Sequence, residues 1–107
     1  VGDKAAIQIR DVDHVATAIE ALDPGDVVKI RGAVQEYEIV AKEHIPRGHK
    51  IALRDIAERE EILKYGEIIG MATSPVPAGH WVHVHNCRGI KARRNPVAAN
   101  PGDRNDA

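Results

Sequence analysis

One pattern returns four times in this chain, and it constrains the fold more than any other feature. LDPGDVVKI (Leu22 to Ile30), IPRGHKIAL (Ile45 to Leu53) and VPAGHWVHV (Val76 to Val84) share an apolar residue, two variable positions, Gly, then Asp or His, then apolar residues spaced by one. A weaker copy, IAEREEILK (Ile56 to Lys64), keeps the apolar frame but carries Arg59 in the glycine position. Proline fixes φ and has no amide to donate, so it opens a turn, and glycine supplies the backbone freedom that closes it. Alternating apolar residues then start a strand with one buried face. Each copy is therefore a turn that launches a strand. Four such units at uneven spacing do not make a solenoid; they predict a compact, folded-over β domain of short strands.

The rest of the chain fits around those turns. Ala5 to Arg10 reads as an opening strand, and VVKI and AVQEYEIVAKEH flank a turn candidate at Arg31-Gly32. Between them, Val15, Ile19 and Leu22 recur at helical spacing with alanines among them. This predicts one short N-terminal helix over Asp13 to Leu22, with Asp13 as its N-cap and Pro24-Gly25 as its stop. The expected organisation is a mainly β domain over residues 1–87, followed by a flexible tail or linker over 88–107, where apolar patterning fades.

Composition limits what such a domain can do alone. With 107 residues, no Phe, one Trp and two Tyr, the core must be aliphatic and modest. A chain of this size buries about 65% of its unfolded surface, so a partner or a homo-oligomer would add welcome burial. The net charge of -1 gives no general pull toward nucleic acid or membrane. RGIKARR near the C-terminus is basic but lacks interleaved aromatics, and it reads as a docking or linking segment. The single Cys87 excludes an internal disulfide framework and suits a reducing, cytoplasmic setting. No apolar run approaches a signal or membrane-spanning length.

Several polar residues could carry chemistry. His83 and His85, two apart, would share a face if the segment were a strand, and could meet an anion, a metal or the sheet's own backbone. Two imidazoles do not complete a zinc site, so no metal set is firm. His49 and Lys50 follow a glycine turn and form a local positive spot, suited to a carboxylate or simply solvated. Lys64 reads as a carboxylate contact or an edge-strand charge. Tyr65 is expected to cover the small core, and Asn86 to cap a strand end or meet a hydroxyl. Cys87 reads as an inert thiol.

The ordered set Gly48-His49-Lys50, Lys64-Tyr65-Gly66, Ile69-Gly70 and His83-Val84-His85-Asn86 resembles the N-terminal domain of altronate and galactarate dehydratases. It is equally similar to the small alpha subunit of sulfolactate sulfo-lyase. Two departures stand out: His80-Trp81 where that family usually has Glu-His, and Arg59 in place of a turn glycine. The resemblance implies a small β-clip (SAF-like) fold beside a large catalytic chain that removes water, or sulfite, from a hydroxy acid. It implies substrate contact by His49, Lys50, Lys64, His83, His85 and Asn86, no cofactor in this chain, and a divalent metal on the large dehydratase subunit. The expected role is that of a small accessory subunit or N-terminal domain of a sugar-acid hydro-lyase. The alternative is a stand-alone carbohydrate- or peptide-binding β-clip module; a self-contained enzyme finds no support in the residues.

Overall fold

A computed structural model describes residues 4–32 and 34–89. Nine short strands form two sheets: β1 (Lys4–Ile7), β2 (Val15–Ala18), β3 (Val27–Arg31), β4 (Glu36–Val40), β5 (Lys50–Ala52), β6 (Glu61–Lys64), β7 (Glu67–Ala72), β8 (Trp81–Val82) and β9 (Cys87–Gly89). The larger sheet runs β4-β3-β1-β2-β5-β8 and the smaller β6-β7-β9. All pairings are antiparallel except β1 with β3. The mainly β architecture expected from the repeated turns is present. No helix among the described residues is long and apolar enough to cross a membrane.

The helix expected over Asp13 to Leu22 is replaced by β2, and the described residues contain no helix at all. The reason lies in the burial of β2 on both faces. Val15 joins one core with Ala52, Ile56, Ile62, Ala72, Val76 and Val82, while Ala16 and Ala18 join another with Val28, Ile30, Ile45 and Ile51. A strand buried on both sides shows a continuous apolar run rather than alternation, and over four residues such a run mimics a helix. β2 and β5 thus form the wall between two aliphatic cores.

The four repeats fold alike, and in pairs. In each, the fifth residue's amide donates to the second residue's carbonyl: Asp26 to Asp23, His49 to Pro46, Glu60 to Ala57 and His80 to Pro77, at 3.0 to 3.2 Å. The fourth residue takes a positive φ: 90° at Gly25, 82° at Gly48, 73° at Arg59 and 89° at Gly79. That is the geometry in which glycine is favoured at the third position of a turn. The apolar first residues then bridge, Leu22 to Ile45 and Ile56 to Val76.

A buried alanine four residues before each bridge completes the unit. Gly25 donates to the carbonyl of Ala41, and Gly48 to that of Ala18, both at 2.8 Å. Arg59 donates to Ala72 at 2.7 Å and Gly79 to Ala52 at 2.8 Å. Each alanine amide returns a bond at 2.9 Å to the fifth residue of the same turn. The alanines of one unit therefore clasp the turn of its mate: first with second, third with fourth. An alanine is small enough to let a turn backbone lie directly against it.

β9 takes in Arg88 and Gly89, two residues beyond the boundary drawn after Cys87, and 90–107, with most of the expected tail and the end of the basic RGIKARR run, lies outside the described residues.

Candidate functional site

The fifth turn position decides which side chains are free. In the first and third units the second residue has an amide, and the fifth residue's carboxylate accepts it: Asp23 to Asp26 at 2.8 Å and Ala57 to Glu60 at 2.9 Å. In the other two units the second residue is Pro46 or Pro77, which has no N–H. The fifth position is then relieved of the acceptor role, and it holds His49 or His80. The same proline that opens the turn frees its histidine for other partners.

The partners of His49 lie on β8 and the turn after it, beside β5. Lys50 pairs with Val82 and Ile51 with Trp81. The His49 ring lies 4.7 Å from that of His83 and 5.6 Å from Trp81. His83 stacks on the indole at 5.2 Å with an interplanar angle of 8°, and His85 tilts against it at 5.0 Å. His83 and His85 are not on a strand, as the spacing suggested; residues 83–86 form a turn. The turn brings both rings to one indole, so they share a surface for a different reason.

Asn86 builds that turn. Its side-chain oxygen accepts from the His83 amide at 2.9 Å, and its side-chain nitrogen donates to the Trp81 carbonyl at 2.7 Å. Both ends of this buried amide are engaged in holding the loop that carries the histidines.

The electrostatics mark one cationic face. Burial pushes the half-buried Lys50 ammonium below its ordinary pKa, and Lys64 pushes it further. Burial also lowers His83, with the neighbouring His49, Lys50 and His85 adding to it. Among the described residues neither Lys50 nor Lys64 forms an ion pair. Lys64 Nζ lies 4.8 Å from the Tyr65 ring centroid, a cation–π contact. Tyr65 does not cover the core: it is 51% exposed. It shares the tip of the β6–β7 hairpin with Gly66, at φ 59° and 74°, the two-residue turn in which both residues are left-handed. Cys87 sits near Lys50, and burial raises its thiol despite that lysine's opposing pull, so the protonated form is favoured. No three His, Cys, Asp or Glu side chains converge as a metal site among the described residues.

Three residues shape this face in roles that the sequence did not suggest. Trp81 gathers the histidines. Glu43 anchors the far side, accepting from the Trp81 amide and pairing with His80 Nδ1, each at 3.0 Å. Burial raises the Glu43 carboxyl, but these bonds outweigh it and hold it below its ordinary range. Asp13, foreseen as a helix cap, is buried and accepts from the amides of Arg10, Tyr65 and Gly66 at 2.8 to 3.1 Å. It fixes the tip beside Lys64. The one available signal was the lone Trp set between His80 and His83.

Comparison with known proteins identifies the family. Residues 4–89 match the family described as altronate/galactarate dehydratase SAF domain. The chain is 38% identical to altronate dehydratase of Bacillus subtilis (strain 168) over 79% of its own length. It is 41% identical to galactarate dehydratase (L-threo-forming) of Escherichia coli (strain K12) over 71%. It spans only 16% and 14% of those two proteins. By contrast, it is 31% identical to the (2R)-sulfolactate sulfo-lyase subunit alpha of Chromohalobacter salexigens, covering 80% of this chain and 93% of that subunit. With its paired turns and this match over nearly all the described residues, the chain belongs to the altronate/galactarate dehydratase SAF domain family.

Proposed function

We propose that this chain works beside a large catalytic chain of a hydro-lyase and presents a cationic, donor-rich face to the carboxylate of a sugar acid. The observation that carries the reading is the gathering of His49, His83 and His85 around Trp81, beside a half-buried Lys50 that forms no ion pair among the described residues and feels the charge of Lys64. Keeping a cation there costs stability unless a ligand anion offsets it. Asn86 is a positioning residue in this scheme, since its side chain is spent on the 83–86 turn.

The chemistry gives such a face a purpose. Removing the proton α to a carboxylate moves negative charge onto the carboxylate oxygens. Donors aimed at those oxygens lower the barrier by favouring the charge as it develops. Loss of the β-hydroxyl as water then leaves an enol, which becomes the 2-keto-3-deoxy acid. A sulfonated acid would lose sulfite in place of water. The base that takes the proton, and a divalent metal that polarises the acid, are expected on the large chain. The donor set described here does not fit a resident metal, and no step on this chain runs through one.

Co-expression with a candidate large chain tests the reading. Formation of 2-keto-3-deoxy acid from altronate or galactarate should require both chains, and the double variant His83→Ala/His85→Ala should lower turnover without loss of fold. Full activity from the large chain alone, with no co-purification, would refute it.

A further inference from the structure

An indole has only an N–H to give. Trp81 gives it to Nδ1 of His49 at 3.2 Å, so that nitrogen presents its lone pair. The ring proton of neutral His49 therefore sits on Nε2, and the free nitrogen of the ring is a donor. Without the indole the two neutral forms of an imidazole lie close in energy, and the free nitrogen would be a donor only part of the time. The backbone keeps this pair in register, because Trp81 lies opposite Ile51 on β5, two residues from His49. His83 is stacked parallel to the same indole and lies 4.7 Å from His49.

From this geometry we infer that Trp81 is a positioning residue: it holds His49 in the Nε2–H form, so that His49 and the adjacent Lys50 present donors only and the face accepts a carboxylate. The ligand class is a small organic acid anion, bound through one carboxylate by an imidazole N–H and an ammonium. This rests on the substrate-facing role proposed above and assigns it to a particular atom and to the residue that sets that atom's state.

The test uses the full chain labelled with nitrogen-15. Long-range proton–nitrogen spectra read the form of His49, and galactarate titrations followed by amide shifts read affinity. The wild type should show His49 protonated on Nε2. Trp81→Phe keeps a ring against His83 but loses the N–H; it should mix the two forms and weaken galactarate binding about two-fold, since only about half of the His49 rings would then present Nε2–H. His49→Gln supplies an amide N–H of its own, so Trp81→Phe in that background should leave the affinity unchanged. Equal weakening in both backgrounds would reduce Trp81 to a structural role and overturn the inference. So would a His49 protonated on Nδ1, or a wild-type chain that does not bind galactarate. None of these readings needs the large chain, so they stand or fall separately from the co-expression result.

Discussion

Replacing Arg59 by glycine should make this protein more stable. Arg59 occupies the turn position that is Gly25, Gly48 and Gly79 in the other three units, and its φ of 73° lies in the left-handed region. A residue with a Cβ pays about 1–2 kcal/mol to sit there. Glycine gives back about 0.5–1 kcal/mol through the greater freedom of its unfolded chain. The net gain for Arg59→Gly is therefore about 0.5–1 kcal/mol, or a rise in Tm of roughly 3–6 °C for a domain of this size. The Arg59 side chain forms no hydrogen bond or ion pair among the described residues, so nothing else is lost with it. Gly48→Ala is the reciprocal control: its φ is 82°, a Cβ there meets nothing within 4 Å, and the change should lower Tm by a similar amount. Thermal unfolding followed by circular dichroism measures both. An Arg59→Gly variant that melts at or below the wild type would show that left-handed strain is not what separates the third unit from its mates.

Three other outcomes follow from particular contacts. Asp13→Ala strands three amides of Arg10, Tyr65 and Gly66, two of them at the β6–β7 tip, and should destabilise by about 3–5 kcal/mol in urea unfolding, whereas a loss below 1 kcal/mol would deny the carboxylate its role. Glu43 is held below its ordinary pKa of 4.5, so the stability it contributes is complete above that pH and fades as pH falls further; Glu43→Gln should flatten the stability profile below about pH 4.5, and an unchanged acid limb would contradict the assignment. Lys50→Met removes a cation whose burial is unfavourable, and should raise Tm by about 1–3 °C while abolishing galactarate binding, so a lower Tm or retained binding would count against the cationic face.

Much of this architecture was legible because turns write themselves locally. The Pro and Gly of the four repeats impose their geometry whatever surrounds them, and even Arg59 obeyed the pattern that its neighbours set. The resemblance carried the histidines and lysines as a set; the fold gathers His49, His83 and His85 around the Trp81 indole, with Lys50 next to His49 and within electrostatic reach of Lys64. What was not legible depends on partners distant in sequence. The alanines that clasp the turns look like filler until their mates are known. Val15, Ile19 and Leu22 suggested a helix because spacing cannot reveal that a strand will be buried from both sides, nor that Ile19 will remain 41% exposed. Asp13 could be read as a capping residue, but not that it would cap a tip more than 50 residues away.

The clasping of each turn by the alanine of another unit has a consequence for how this chain opens. Each turn is held from the other unit, since Ala18 and Ala41 each accept through the carbonyl from the opposite turn's glycine and donate the amide to that turn's fifth residue, and the Leu22–Ile45 bridge ties the two turns together. The amides of Gly25 and Gly48 should therefore exchange with solvent as one event, and those of Arg59 and Gly79 as another. The Lys42 amide, bonded to the Gly79 carbonyl at 2.9 Å, couples the two events. The protein should breathe in halves, with the imidazole-bearing turns at positions 49 and 80 falling one in each.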